Sequence, residues 1–181
     1  EAVARADVAV AEAERDVIRA QAADAAAALE LEETLLAHHR LTAPFDAVAL
    51  HGVNRAEAKA GTKLVIFGCG PIGLGMVLWA VDRGCDVVAL DLAPERRARA
   101  QALGARAVLD PTACDLRTEL AKLHGEVPSF NRIGVGTDAF IDAAGAPNIV
   151  SDVIMMAKLH ARLVITAAHM KPIEVPFGRM L

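Results

Sequence analysis

The stretch LVIFGCGPIGLG, Leu64 to Gly75, places three glycines directly after a short apolar run. Gly68, Gly70 and Gly73 have the spacing G-x-G-x-x-G, which after a strand and at the start of a helix is typical of a turn that holds a pyrophosphate. Gly68 permits the tight turn, Gly70 leaves room for the anion, and Gly73 lets the helix lie close to the strand. Pro71 suits the first helical position because the amide that it lacks would have no partner there. The stretch therefore predicts a dinucleotide seat at the positive end of a helix dipole.

A carboxylate follows this turn at the distance that the fingerprint requires. Asp91 lies eighteen residues after Gly73, at the end of the second predicted strand. It can accept hydrogen bonds from both ribose hydroxyls of adenosine and would repel a 2′-phosphate, which favours NAD over NADP. Arg96, just beyond, works against that preference, since it could lie over the ribose or neutralise a phosphate. A structural glycine turn, or a site for another nucleotide, remains the alternative.

Strand and helix patterns alternate through the rest of the chain, which predicts an α/β fold. We expect a Rossmann-like, doubly wound parallel sheet of about five strands with right-handed crossovers. The predicted strands, short and rich in apolar residues, span residues 63–67, 86–91, 107–109, 139–142 and 162–167. The predicted helices span residues 48–59, 72–83, 94–103, 116–123 and 149–159.

The first forty-one residues differ in character, because they contain neither glycine nor proline and consist mainly of strong helix formers. They predict one long amphipathic helix. A heptad seam of small apolar residues runs along it at Val3, Ala6, Val10, Ala13, Val17 and Ala20. So long a helix needs a partner, either its own domain or a second copy of itself. The chain is thus expected to divide into a helix over 1–44 and a dinucleotide-binding domain over 45–181.

The junction between these parts resembles a known sequence. LEETLLAHHRLTAPFDAV, Leu31 to Val48, is similar to the end of the descending coiled-coil helix in periplasmic adaptor proteins of efflux and type I secretion systems. The matching residues are Arg40, Ala43, Pro44, Phe45, Asp46 and Val48, while Ala47 stands where those proteins usually have glycine. This resemblance implies an alternative function, a coiled-coil assembly or transport-adaptor module with a non-catalytic Rossmann scaffold.

From about Ala47 onward the chain resembles the coenzyme domain of medium-chain zinc-dependent dehydrogenases, most of all the butanediol and sorbitol branch. The matching segments are AVALHGVN (47–54), GCGPIGLG (68–75), VVALD (87–91), LGARAVLDP (103–111), GTDAFIDAAG (136–145) and LVITAAHMKPIEVPF (163–177). The resemblance implies NAD as cofactor. It implies that Ile72 packs behind the nicotinamide, that Ala143 and Ala144 line the adenosine side, and that Thr166, Ala167 and Ala168 approach the nicotinamide ring.

That family also uses a catalytic zinc, and the sequence predicts neither a metal site nor a catalytic residue in this chain. Pro44 and Phe45 occupy the place where the butanediol branch has a Glu-Pro pair, whose glutamate can ligate zinc. The histidines are scattered and are expected at the surface or at helix ends; they are His38, His39, His51, His124, His160 and His169. We therefore expect a chimeric chain that retains cofactor binding, with its C-terminal strand left as an apolar edge that self-associates.

Composition limits the remaining function classes. The formal net charge of −4 does not suggest a nucleic-acid partner. Cys69, Cys85 and Cys114 are widely spaced, which predicts free, buried or half-buried thiols and a reducing compartment. There is neither a secretory leader nor an apolar run of about 20 residues, so we expect a cytoplasmic protein without a membrane partner.

Overall fold

The computed structural model describes residues 43–129 and 132–179, together with Arg15, Arg19, Gln21 and Ala22. The chain divides into two compact units, Glu1–Leu41 and Thr42–Leu181. In the first unit, the four described residues are helical and exposed. The predicted long helix and its heptad seam otherwise lie outside the described residues. Of the adaptor likeness, the stretch from Ala43 to Val48 is described, and it is helical and belongs to the second unit.

The second unit contains the predicted α/β fold. Its described elements are α1 (Ala43–Arg55), β1 (Lys63–Phe67), α2 (Pro71–Asp82), β2 (Asp86–Leu90), α3 (Pro94–Ala102), β3 (Ala107–Leu109), α4 (Leu116–His124), β4 (Glu126–Ser129), β5 (Arg132–Val135), β6 (Ala139–Asp142), α5 (Ile149–Met156), β7 (Arg162–Ile165) and a 3-10 turn (Phe177–Arg179). Five strands form one sheet in the order β3-β2-β1-β6-β7, and every neighbouring pair in it is parallel. The predicted sheet of about five parallel strands is confirmed.

The central strand β1 supplies side chains to a core on each face of this sheet, because successive residues of a strand point to opposite faces. Leu64 and Ile66 are buried against Met76 of α2 on one face. Val65 and Phe67 belong to the core of the other face, which includes Leu120 of α4. Burial on both faces explains why the strands are apolar throughout rather than alternating.

Several boundaries differ from those expected. Helix α1 begins at Ala43 rather than 48, since a proline is tolerated in the first turn of a helix. It ends at Arg55 rather than 59, shortly before Glu57, whose positive φ of 52° cannot continue a helix. Strand β7 ends at Ile165 instead of 167, and α5 ends at Met156 instead of 159.

An antiparallel hairpin of β4 and β5 was not predicted at all. Pro128 and Gly134 lie within its strands, and both residue types are poor strand formers, so its sequence carries a weak β signal. Packing explains the glycine. A Cβ at Gly134 would lie 2.6 Å from the Cα of Lys158, so only glycine fits here. The sequence does not predict this contact, because the two residues are far apart in the chain.

His124 lies at a helix end, as the sequence predicts, but it is buried rather than exposed. It is the last residue of α4, is only 1% exposed, and its Nδ1 lies 2.8 Å from the Thr137 hydroxyl. Burial lowers the pKa of this imidazole from 6.5 to about 4, even though nearby Asp86 acts in the opposite direction. The folded protein therefore holds His124 neutral over a pH range in which the unfolded chain binds a proton.

We predict that acidification from pH 6.5 to pH 4 destabilises the fold through His124. In that window the unfolded histidine gains a proton and the folded one largely does not, which favours the unfolded state. The stability of the fold is therefore unaffected by His124 above pH 6.5 and decreases progressively as the pH falls toward 4. The expected loss in free energy of unfolding is about 3 kcal/mol, measurable by urea unfolding at several pH values.

His124→Asn is the matched control, since its amide can still bond to Thr137 but does not titrate. The variant should show a flatter pH dependence in the same window. An equally steep dependence in His124→Asn would assign the effect to other groups.

Candidate functional site

The carboxyl ends of the parallel strands meet at one edge of the sheet, and the loops that follow β1, β2, β6 and β7 lie there. Strands β2 and β3 lie on one side of β1, while β6 and β7 lie on the other. The order of connection reverses between β1 and β6. Such a switch point opens a crevice at the carboxyl edge, where ligands bind in doubly wound sheets.

The glycine turn after β1 has the close packing that its spacing predicts. Gly68 has a φ of +91°, and a Cβ there would lie 3.0 Å from the amide nitrogen of Ala144. A Cβ on Gly73 would lie 1.8 Å from the carbonyl oxygen of Gly68, so the helix and the turn are in direct backbone contact. Gly70 differs from both, because a Cβ there would meet no atom within 4 Å. Open space thus faces the one glycine whose predicted role is to make room for an anion.

Helix α2 begins beside this space with amides that have no capping side chain. Gly70 is its N-cap residue and Pro71 is its first residue. The intrahelical bond nearest this end runs from the Leu74 amide to the Gly70 carbonyl, 2.8 Å away. The amides of Ile72 and Gly73 come before it and have no intrahelical acceptor. The start of α2 therefore has the donors and the dipole that favour an anion.

Asp91 lies beside this turn, directly after β2, and is 9% exposed. Its Oδ2 accepts a hydrogen bond of 2.7 Å from the Cys69 amide within the glycine turn, and its Oδ1 accepts one of 2.8 Å from the Ala93 amide. Each carboxylate oxygen keeps a further lone pair for another donor. The structure thus brings the predicted ribose-binding carboxylate next to the predicted phosphate seat.

Two arginines contact Asp91, one at its carboxylate and one at its backbone carbonyl. A guanidinium nitrogen of Arg96 lies 3.7 Å from Asp91 Oδ2, and the Arg96 side chain is 56% exposed. Arg97, which was not predicted, donates to the carbonyl of Asp91 at 2.7 Å and to the Asp110 carboxylate at 3.1 Å. Arg97 therefore braces the turn after β2, while Arg96 remains accessible at its rim.

Cys69 places a thiol inside the glycine turn without adding reactivity. The residue is fully buried, and its burial together with the charge of Asp91 raises the thiol pKa to about 12. The sulfur therefore stays protonated and neutral. Cys85 and Cys114 are half-buried free thiols, so the expectation of three free, buried or half-buried cysteines is confirmed.

On the other side of the switch point, Asp142 organises two loops, and sequence reasoning missed it. Asp142 ends β6 and is fully buried. Its Oδ1 accepts from the amides of Ala144 and Gly145 at 2.9 and 2.8 Å, and its Oδ2 lies 2.8 Å from His169 Nε2. Its carbonyl accepts from both the amide and the hydroxyl of Thr166, each at 2.9 Å.

A signal for Asp142 was present in the sequence. It ends the apolar strand AFID as Asp91 follows the apolar strand VVAL, so the same pattern occurs twice. The partner His169 carried no comparable signal. It was expected at the surface or at a helix end, but its side chain is only 12% exposed and pairs with Asp142. That expectation is wrong for His169, whereas His124 does lie at a helix end and differs only in being buried.

The predicted site residues lie in neighbouring loops of this edge. The glycine turn contains Gly68, Gly70, Pro71, Ile72 and Gly73, next to Asp91 and Arg96; Ala143 and Ala144 follow β6, and Thr166, Ala167 and Ala168 follow β7. The loop after β6 contacts both neighbours. A Cβ on Gly68 would touch Ala144, and one on Gly145 would lie 3.0 Å from the Ala168 carbonyl oxygen. The ligand contacts expected of these residues stay predictions.

Two further properties of the described residues bear on function. They contain no group of three or more His, Cys, Asp or Glu side chains placed to hold a metal ion. Among the same residues, no helix combines the length and the apolar character that crossing a membrane demands.

Comparison with known proteins places the chain among dehydrogenases. Residues 71–181 match the sequence model of the zinc-binding dehydrogenase family. The chain is 34% identical over 131 residues to (R,R)-butanediol dehydrogenase of Bacillus subtilis, an alignment that covers 71% of this chain and 35% of that protein. The crystal structure of 2R,3R-butanediol dehydrogenase from Bacillus subtilis superposes with a TM-score of 0.65 at 31% identity, covering 76% of this chain and 37% of that one.

A second solved structure contains a bound dinucleotide. It is a zinc-binding dehydrogenase from Sinorhizobium meliloti in complex with NADP, with a TM-score of 0.62, 30% identity and coverage of 75% of this chain and 39% of that one. The chain spans little more than a third of the length of such proteins. The family match begins at residue 71, so the adaptor likeness of the N-terminal segment and the chimeric origin stay predictions.

We predict that the same substitution, glycine to serine, will be tolerated at Gly70, which faces open space, and will destabilise the fold at Gly73, which is tightly packed. Gly73→Ser should lower the melting temperature by about 10 °C or more, because its Cβ would collide with the Gly68 carbonyl. Gly70→Ser should change it by no more than about 2 °C, since that Cβ enters open space and serine is a good N-cap residue. Differential scanning calorimetry of both variants measures the contrast. Equal losses would contradict the described packing of α2 on the turn.

Proposed function

The chain belongs to the zinc-binding dehydrogenase family and carries its Rossmann-type coenzyme domain, and on that premise we propose that it binds NAD for an oxidoreductase that acts on an alcohol or polyol. The observation that carries the proposal is the hydrogen bond of 2.7 Å between the Cys69 amide and Asp91. It holds a carboxylate beside an open helix N-terminus, which is the combination that a nicotinamide dinucleotide requires.

The pyrophosphate is proposed to lie over Gly70 at the start of α2. The open space in front of this residue can admit the anion, and the amides of Ile72 and Gly73 can donate to its oxygens. Gly68 contributes indirectly, because its tight turn brings the backbone close to that space. The helix dipole adds favourable electrostatic energy without a charged side chain.

The adenosine ribose is proposed to bind Asp91. Its hydroxyls can donate to the carboxylate lone pairs left over by Cys69 and Ala93. A 2′-phosphate would meet the negative charge at the same position, which favours NAD. Arg96 opposes this preference in part, since its exposed guanidinium lies 3.7 Å from the carboxylate.

The nicotinamide half is proposed to extend across the switch point. Ile72 would pack behind the ring, and Ala143 and Ala144 would line the adenosine side of the crevice. Thr166, Ala167 and Ala168 would approach the ring from the loop after β7. Five of these six positions are alanine or threonine, and such small side chains would leave the ligand close to backbone atoms, which suits a flat cofactor.

The substrate side of the reaction lies outside what the described residues supply. The relatives' names span diols and sugar alcohols, among them the (R,R)-butanediol dehydrogenase of Bacillus subtilis and a sorbitol dehydrogenase of Bombyx mori. The family name implies zinc, which would polarise the substrate oxygen, but the described residues do not fit such a site. We therefore confine the proposed role of this chain to the coenzyme.

We predict that the full chain binds NADH more tightly than NADPH and that the Asp91 charge is the reason. Asp91→Asn, which keeps the shape of the side chain, should weaken NADH binding about tenfold and narrow its advantage over NADPH. Titration of each reduced cofactor, followed by its fluorescence, measures both effects.

Arg96→Ala is the matched control from the same turn. This variant should weaken the binding of NADPH and leave the affinity for NADH nearly unchanged, because it removes the guanidinium that would pair with the 2′-phosphate. The absence of binding at millimolar NADH would refute the proposed function, whereas equal affinity for the two cofactors would refute only the role of Asp91.

We also propose that two copies of the chain associate along β7. Strand β7 pairs with β6 on one side, and no other strand among the described residues pairs with its second side. Ile165 of this strand is 46% exposed, and a groove of about 390 Å³ follows the strand beside His51 and Arg55 of α1. Exposed apolar strands with free backbone groups favour pairing between chains.

We predict that the full chain sediments as a concentration-dependent dimer and that Ile165→Lys shifts it to monomer. A lysine on the edge keeps its charge in water and opposes strand pairing. Sedimentation velocity at several concentrations measures the change, with His160→Asn as a control outside the strand. A monomeric parent protein would overturn this mode of association.

A further inference from the structure

The pair formed by Asp142 and His169 has a consequence for the ligand that goes beyond the family assignment. Asp142 is fully buried, and a buried carboxylate is stable only when its oxygens find donors. The amides of Ala144 and Gly145 donate hydrogen bonds to Oδ1, and Nε2 of His169 lies within hydrogen-bond distance of Oδ2, at 2.8 Å. An ionised carboxylate only accepts hydrogen bonds, so the tautomer of His169 that fits this contact is the one with its hydrogen on Nε2.

His169 also ties the loop after β7 back to Asp142, the residue that binds the start of the same loop. The Asp142 carbonyl accepts from the amides of Thr166 and Ala167 at 2.9 and 3.0 Å, which fixes the first part of the loop. His169 returns to the side chain of the same aspartate, so the loop is held at both ends by one residue. Ala168 lies between these attachments and packs against Gly145. The backbone from 166 to 168 is therefore held in place on both sides.

The position of this loop relative to the predicted ligand follows from the topology. The phosphate seat lies at the end of β1, and the ribose carboxylate Asp91 lies after β2 on one side of it. A dinucleotide with its adenosine half on that side must extend its other half over β6 and β7. The loop held by Asp142 and His169 follows β7, at the same edge of the sheet.

We infer that His169 is a positioning residue for the nicotinamide half of the dinucleotide, acting through Asp142 and the backbone of residues 166–168. This inference rests on the proposed function, since it assumes that the site binds a nicotinamide dinucleotide. The imidazole is largely enclosed, with 12% of its side chain exposed, and its described hydrogen bond goes to Asp142. Its effect on the ligand is therefore expected through the loop.

The test compares two ligands that differ only at the ring. NADH and ADP-ribose share the adenosine, the pyrophosphate and the second ribose, but ADP-ribose lacks nicotinamide. Isothermal titration calorimetry on the full chain should show that His169→Ala weakens the binding of NADH about tenfold and changes the affinity for ADP-ribose by less than about twofold. His169→Gln should restore most of the NADH affinity, because its amide can donate to Asp142.

Two further variants secure the interpretation. His169→Asn has an amide too short to reach Asp142, so it should show the same selective loss of NADH affinity. It keeps the test available if the alanine variant fails to fold. His160→Asn is the control, since His160 precedes β7 at the opposite edge of the sheet and has a φ of +61°, which asparagine tolerates. It should leave both ligands unaffected.

The outcomes distinguish this inference from the function on which it rests. If His169→Ala and His169→Asn lower the affinities for NADH and ADP-ribose equally, or lower neither, the positioning role is overturned. The proposed cofactor-binding function is then unaffected. A parent protein that binds neither ligand overturns both. Selective loss of NADH with recovery in His169→Gln supports the role of the histidine.

Discussion

The hydrogen bond from the Cys69 amide to the Asp91 carboxylate is the contact on which the candidate site depends. It joins the turn after β1 to the end of β2, so the loop that would hold a phosphate and the side chain that would hold a sugar cannot move independently. The direct contact of α2 with this turn at Gly73 adds a second constraint. Together they create a rigid seat whose shape is set before any ligand arrives, which lowers the entropic cost of binding.

Asp142, on the other side of the switch point, makes the same kind of contacts as Asp91. Asp91 accepts from an amide two residues further along, and Asp142 accepts from amides two and three residues further along. Each aspartate also reaches a second loop, through Cys69 in one case and His169 in the other. Two nearly buried carboxylates thus order the loops on either side of the crevice, which is how polar side chains can specify irregular backbone at a sheet edge.

The sheet and the glycine turn could be predicted from the sequence because their signals are local. A buried strand such as 63–67 is apolar throughout, and the spacing of Gly68, Gly70 and Gly73 reflects the geometry of one turn. The hairpin of β4 and β5 could not be predicted, because long-range packing on Lys158 rather than β propensity decides it. The environments of His124 and His169 were missed for a related reason, since their partners are distant in sequence.

The neutral thiol of Cys69 has a consequence for the chemistry of oxidative damage. Peroxides and alkylating agents react with thiolates, and a sulfur with a pKa of about 12 hardly forms one near neutral pH. Burial also raises the thiol pKa of Cys85 and Cys114, but both are only half-buried, so electrophiles reach them before Cys69. Labelling or oxidation is therefore expected at Cys85 and Cys114, while the Cys69 sulfur, packed in the core beneath the glycine turn, stays intact.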